Sequence, residues 1–561
     1  MICRILGARR DCVSERIPPG KIPPPGKVPP RTKPSTRTAS NKTAARTPPP
    51  GKVPPSVARR GQSSRPSGAL LAGIAAMFAT LLIAMAVWVT RGDSATQNEL
   101  AQNLTVTHSE IVDVNATSVP PTPIPSPTFP PEDTPTTGPT QPTGVCNPLC
   151  LARMPTGEET TAFLNEFGAK PTYQHDAQTW LSLDNRMLAQ LQQVGREYTL
   201  IEGASDTARL YVMRLPEGVD RSWADDMGTV VDGVDNQFIV DIPGPPPYVI
   251  DLIDMGISIE KLPPLMPVIA AKTGKPEITD PGTAAESVSV QQLKQRVLDL
   301  QAMGSADGIL GSREYSQPGN VETAEYIYRR LASYGLNVWY EDFIGDNGRL
   351  LLNVVGEIPG TDASKIYLMT AHFDTVADDT KNPVKAPGAL DNGTGVAVLL
   401  ETARALAGYQ LQHPVHFAFF NAEEFAMQGA HAFALHATEG DARPYAGAFN
   451  VDSVGAALQQ NQLYVNAANT GSAYLSSLLA DINDRWGLGV AVWPSTSEKI
   501  KADEAELNAF GIPAVMVGSV LYGDPMINKS NDTIEQVDMW YLQAVGQLLT
   551  IAMSTLAMQG T

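Results

Sequence analysis

Between positions 372 and 452 the sequence sets a histidine and several carboxylates at the ends of apolar runs. They are His372-Phe-Asp374, Asp391 in Gly-Ala-Leu-Asp-Asn-Gly-Thr-Gly, the adjacent pair Glu423-Glu424, and Asp452 in Asn-Val-Asp-Ser-Val-Gly. An imidazole and carboxylates gathered in one place can hold a divalent metal over a peptide bond. Asp374, two residues beyond His372, has the parity to share its face of a strand. A carboxylate behind a metal-binding imidazole fixes its tautomer and orientation. Taken singly, each residue has an ordinary reading: His372 as a strand-end histidine in a polar turn, Asp391 as a helix N-cap, Asp452 as a turn residue. Glu423 and Glu424 repel each other, and such a pair is tolerated where a cation or a shifted pKa absorbs the charge. One glutamate can then bind metal while its neighbour takes a proton from water. The ordinary alternative is a solvated acidic turn.

The elements that must position these residues lie in 288–561. Amphipathic helices over 290–303 and 320–334 alternate with short apolar strands at 350–355, 366–370, 415–420 and 514–517. This alternation predicts an α/β fold with a mostly parallel mixed sheet sandwiched by helices. In such sheets ligands gather beyond the carboxyl ends of strands, where His372, Asp391, Glu423 and Asp452 fall.

Together and in this order, these residues resemble the M28 family of zinc peptidases, which includes aminopeptidases, carboxypeptidases and glutaminyl cyclases. The resemblance covers 288–561, with a lead-in at 310–320 and a closing motif at 531–538. It implies a zinc-aminopeptidase-like fold and two Zn2+ per chain, with one ion possible. Asp391 would bridge the metals, His372 and Asp452 would serve one zinc, and Glu424 the other. Glu423 would be the general base and Asp374 the partner behind His372. The family's last ligand is a histidine four residues before the Asp of the closing motif, and counting back from Asp532 gives Asn528. A second family histidine, in Ser-Asp-His, is replaced in Ala502-Asp503-Glu504. Asn528, or Asp524 in the same loop, would substitute as ligand, or the enzyme would run on one metal, or the chain would be a non-catalytic descendant. Glutaminyl cyclase is disfavoured because that branch relies on the absent histidine. The implied function is a membrane-anchored extracytoplasmic metallopeptidase, foremost an aminopeptidase acting on peptides or proteins. The alternative is a non-catalytic or single-metal M28-like binding protein.

The rest of the chain concerns location. Residues 1–67 carry 15 Lys and Arg against 2 Asp and Glu, a net of +13 that leaves −31 for the remainder of a chain whose total is −18. The acidic remainder would repel phosphate, which argues against nucleic acid as partner. The Pro-rich repeats of 1–67 predict a disordered cytoplasmic tail. Residues 68–90 include 22 consecutive uncharged residues, which at ~1.5 Å rise each reach about 33 Å, enough to span a bilayer core. Arg59, Arg60 and Arg65 before them place the N-terminus in the cytoplasm and the remainder outside. The Thr/Pro-rich 91–145 predicts an extended stalk, and 146–285 a small α+β domain of unknown role, for which a ferredoxin-like outline is one reading. Cys146 and Cys150 are expected to pair as a disulfide.

Overall fold

The computed structural model describes residues 146–558 apart from 147, 206–208, 269–273, 307–309, 380–384, 440–441, 459–460 and 521–523. The expected tail (1–67), membrane span (68–90) and stalk (91–145) lie outside the described residues.

Residues 150–261 form two successive βαββαβ motifs. The first comprises β1 (Cys150–Pro155), α1 (Glu158–Phe167), β2 (Tyr173–His175), β3 (Gln178–Leu183), α2 (Asn185–Val194) and β4 (Thr199–Ile201). The second comprises β5 (Leu210–Arg214), α3 (Ser222–Met227), β6 (Thr229–Val234), β7 (Gln237–Asp241), α4 (Ile250–Asp254) and β8 (Ser258–Lys261). Each sheet is antiparallel, in the orders β2-β3-β1-β4 and β6-β7-β5-β8, the arrangement of a ferredoxin-like unit. Alternation along the strands decides the layering. Leu151, Trp180, Val212 and Ile239 share one core between the two sheets. Tyr211 and Met213, the neighbours of Val212, point the other way into a core with α3 and α4. Asp232 ties the motifs together, accepting from Arg153 Nη1 at 2.9 Å and Trp180 Nε1 at 2.6 Å. Cys146 and Cys150 are joined by a disulfide.

After α5 (Gly282–Ala285), the elements are α6 (Val290–Gln301), α7 (Pro318–Ser333), β9 (Asn337–Ile344), β10 (Leu350–Ile358), β11 (Ile366–His372), α8 (Thr394–Leu406), β12 (Val415–Phe420), α9 (Gln428–Thr438), β13 (Tyr445–Val451), β14 (Gln462–Asn466), α10 (Ala473–Trp486), β15 (Ala491–Ser495), α11 (Asp503–Ala509), β16 (Ala514–Gly518) and α12 (Met539–Met558). The strands form one eight-stranded sheet, β15-β14-β16-β13-β11-β12-β10-β9. Its four central strands run parallel, and antiparallel pairings join them to β10–β9 on one side and to β14 on the other. Tyr367, Met369 and Ala371 of β11 face the larger core with α6, α7, α8, α10 and α12. Ile366 and Leu368 face the smaller core with α9 and α11. The result is an α/β sandwich with a mixed sheet.

Helix α12 is long and apolar enough to cross a membrane by length and composition, yet 72% of its most apolar window is buried. Leu542, Val545, Leu548 and Leu549 lie in the larger core, so packing inside the fold accounts for its composition.

The ferredoxin-like pair is joined to the sheet at the β9–β10 turn and at α7. Val249 donates its backbone N–H to Gly348 O, and Leu350 donates to Pro247 O, both at 2.9 Å. Leu350 enters the core beneath α3 and α4. Lys261 Nζ lies 2.9 Å from Glu325 of α7, with Lys261 buried.

Candidate active site and metal centre

The site stands at the carboxyl end of the parallel strands. Register places His372, the last residue of β11, beside Phe420, the last of β12. The two chains therefore leave the sheet together, one into Phe373-Asp374 and the other into Asn421-Ala422-Glu423-Glu424. β13 ends at Val451, one residue before Asp452. Three non-glycine residues near these exits have left-handed backbones: Ala422 (φ 57), Ser453 (φ 53) and Asn528 (φ 56). Such backbones cost about 1 kcal/mol or more and persist where surrounding packing enforces them.

His372, Asp391 and Asp452 converge. Nε2 of His372 lies 3.2 Å from Asp391 Oδ1 and 3.5 Å from Asp452 Oδ1, and one ligand atom from each falls within 4.8 Å of the others. Atoms about 2.0–2.2 Å from a tetrahedral zinc stand roughly 3–3.5 Å apart, so the nitrogen and two oxygens fit a zinc ion. Asp391 is not used as a helix cap. Asn392 takes that work, its Oδ1 accepting from Gly395 N at 3.0 Å and Ser453 N at 3.1 Å. A Cβ on Gly395 would run into Asn392 Oδ1 and the Val451 carbonyl, which explains the glycine there.

Asp374 is fully buried, and its position gives it two contacts. Its Oδ1 lies 3.6 Å from His372 Nδ1, whose nearer neighbour is the Asp374 carbonyl at 3.3 Å. The same carboxylate accepts the backbone N–H groups of Glu423 (3.0 Å) and Glu424 (3.2 Å). The loop carrying the two glutamates is thus hung on the residue behind the imidazole. Further out, Phe425 stacks on Tyr315 with ring centroids 3.8 Å apart. Asp346, on the β9–β10 turn, faces the Tyr315 hydroxyl and, after burial, helps push it up to about 12. Asp346 N also donates to Gln428 Oε1 at 2.8 Å.

The electrostatics are those of crowded acids. Burial drives Glu423 well above the carboxylate range, with Asp503 and Asp452 adding to it and His372 opposing. Glu424 is likewise raised by burial, then by Asp391 and Glu423. Burial would depress His372, but Glu423 and the carboxylates against its ring raise it well above its usual value. A cation placed among these groups would relieve the repulsion. Glu424 is not part of the triad within 4.8 Å. Its Oε1 is buried without a hydrogen-bond partner among the described residues, and so is Asn528 Oδ1. Asp524, by contrast, accepts from Met526 N through Oδ1 at 3.0 Å.

Three residues received no role from the sequence. Arg313 is fully buried and donates to the carbonyls of Phe373 (2.7 Å), Leu300 (3.1 Å), Pro387 (2.6 Å) and Gly388 (2.9 Å). Burial lowers it to about 10, while Asp532, Asp374, Asp391 and Glu424 oppose that fall. Asp532 receives the N–H groups of Leu390 (2.8 Å) and Asp391 (2.9 Å) and fixes the Asp391 loop. Asp503 has both oxygens buried without a partner among the described residues. Burial raises it well above the carboxylate range, His372 opposes this, and Asp374 and Asp452 reinforce it. Glu504 beside it is pushed up to about 8, chiefly by burial. The only signal for Arg313 and Asp532 was membership in the lead-in and closing motifs, and Asp503 stood in the motif remarked on for its missing histidine.

Residues 353–553 match the model of Peptidase family M28. Aminopeptidase YwaD of Bacillus subtilis (strain 168) is 28% identical over 195 residues, covering 33% of this chain and 40% of that protein. Leupeptin-inactivating enzyme 1 of Streptomyces exfoliatus is 23% identical over 257 residues, covering 46% and 54%. The chain thus spans about half the length of these curated relatives. The solved structure of BSAP, a zinc aminopeptidase from Bacillus subtilis, shares 25% identity over 38% of this chain and 51% of that one, with a TM-score of 0.34. Over residues 353–553 this chain is thus similar to peptidase family M28.

Proposed function

We propose that this chain is a membrane-anchored extracytoplasmic zinc metallopeptidase, foremost an aminopeptidase. The observation that carries the reading is the convergence of His372 Nε2 on Asp391 and Asp452, beside a glutamate loop hung on Asp374. The family match and the aminopeptidase relatives support the same class. His372, Asp391 and Asp452 would hold one ion, with Glu424 and Asn528 as the proposed ligands of a second. Bound zinc supplies a Lewis acid for the scissile carbonyl and lowers the pKa of the attacking water. The protein's own groups do the rest. Asp374 sets the imidazole ring and holds the Glu423 backbone. Glu423 takes the proton from the attacking water and delivers it to the leaving amine. Its raised proton affinity suits a group that must carry a proton between two steps. The anchor assigned to 68–90 would keep the peptidase domain at the outer face of the membrane, with the N-terminus in the cytoplasm.

Purified full chain should hydrolyse an aminoacyl p-nitroanilide, lose that activity with chelator, and regain it with zinc. Absence of turnover across a broad aminoacyl panel, with either zinc or manganese supplied, would reject the reading in favour of a non-catalytic binding protein built on the same domain.

A further inference from the structure

The His372 nitrogen lies 3.2 and 3.5 Å from oxygens of Asp391 and Asp452. The sequence contains no histidine after His436, so the closing loop can supply no second imidazole. It can supply oxygen. Glu424 Oε1 and Asn528 Oδ1 are both buried, and both lack a hydrogen-bond partner among the described residues. A buried oxygen left without a donor is costly, and a cation can satisfy such an oxygen.

Asn528 is fixed where it can serve. Its left-handed backbone (φ 56) is one that asparagine tolerates better than most residues. Its carbonyl accepts Asp378 N at 2.9 Å, tying it to the segment that follows His372 and Asp374. Lys529 and Ser530 reach the same segment, Lys529 Nζ lying 3.5 Å from Asp378 and Ser530 N donating to Asp379 at 2.8 Å. Four residues after Asn528, Asp532 accepts the backbone N–H groups of Leu390 and Asp391. The loop carrying Asn528 is therefore clamped at one end to the His372 exit and at the other to Asp391. Asp524, the other oxygen in this loop, already accepts from Met526.

We propose that Asp391, Glu424 and Asn528 form an all-oxygen site for a hard divalent cation of the manganese or magnesium kind, beside a zinc on His372, Asp391 and Asp452. This rests on the metallopeptidase reading above and deepens it. Carboxylate and carbonyl oxygens suit magnesium and manganese, whereas an imidazole nitrogen suits zinc. The centre is then mixed rather than paired in zinc, with Asp391 shared.

The test is a metal titration of purified, metal-stripped full chain, read by calorimetry and by the loss of the free Mn2+ resonance signal. One zinc should bind tightly and a second at least 10-fold more weakly. Chain loaded with one zinc should take up one Mn2+. Asn528→His should tighten the second zinc at least 10-fold and weaken the Mn2+ uptake. Asn528→Asp, which keeps an oxygen and adds charge, should strengthen Mn2+ uptake instead, and it serves if the histidine variant misfolds. Two equally tight zincs, or no Mn2+ uptake by the one-zinc chain, would overturn the proposal while leaving the peptidase reading standing. Failure to bind even one zinc would overturn both.

Discussion

Asp374 holds Glu423 by its backbone, accepting the Glu423 N–H on Oδ1 at 3.0 Å while the same oxygen lies 3.6 Å from His372 Nδ1. One buried carboxylate thus aligns the imidazole and the loop of the proposed base. Asp374→Asn keeps the shape and an acceptor but removes the charge behind the ring. Activity or metal affinity should fall about 10–100-fold, the usual consequence of losing such a partner. Metal content and turnover measured on the same preparation separate the two effects.

Glu423→Gln should leave the fold and the metal content unchanged, because the His372–Asp391–Asp452 triad does not include it. Turnover should drop by about 10²–10⁴, the range assigned to a positioned proton carrier. Comparison of kcat with wild type at matched metal loading checks this. A variant with wild-type kcat would remove Glu423 from the mechanism.

His416 is buried, with Nδ1 2.8 Å from the Tyr445 hydroxyl and its ring edge-on to Trp339. Burial, and then Arg443, lower it from 6.5 to about 3. A folded-state value below the unfolded one means the unfolded chain takes up the proton first as pH falls. The contribution is fully present above about pH 6.5 and is lost progressively toward pH 3, at about 1.4 kcal/mol per pH unit. Denaturant unfolding of wild type and His416→Gln should therefore converge as pH is lowered, by about 2 kcal/mol at pH 5 relative to pH 7.5. Parallel pH profiles would contradict the neutral, buried imidazole.

Lys261 and Glu325 join the ferredoxin-like pair to α7 through a buried contact of 2.9 Å. Lys261→Met leaves the Glu325 carboxylate buried and unpaired and should cost about 3–5 kcal/mol. Adding Glu325→Leu should recover most of that loss, since replacing a whole buried pair by apolar groups is near neutral. Unfolding curves of the two variants check the order. A double variant no better than the single would mean that Glu325 has other obligations in that interface.

Much of the α/β domain over 288–561 is written in its local pattern. The strand at 415–420 and the helix opening near 394 follow from apolar runs and glycine-rich turns that bury in only one way. His372, Asp391, Glu423 and Asp452 could be picked out because each residue ends or follows such a run. Arg313 was not legible, because a buried arginine bonded to four carbonyls looks in sequence like any other polar loop residue. The 146–285 region was legible as a small α+β domain of ferredoxin-like outline, but its doubling into two motifs was not, since sheet order is a non-local choice.

The sequence by itself determined which residue types were available: an imidazole at a strand end, carboxylates at the ends of neighbouring apolar runs, and an asparagine four positions before Asp532. Tertiary structure alone decided how they are shared. Parallel register brings His372 and Asp452 to neighbouring strand ends, so the triad closes around one point. Burial then withholds water from Glu424 Oε1 and Asn528 Oδ1, which have no hydrogen-bond partner among the described residues. Distance and desolvation depend on packing between segments far apart in the chain, and local sequence carries neither.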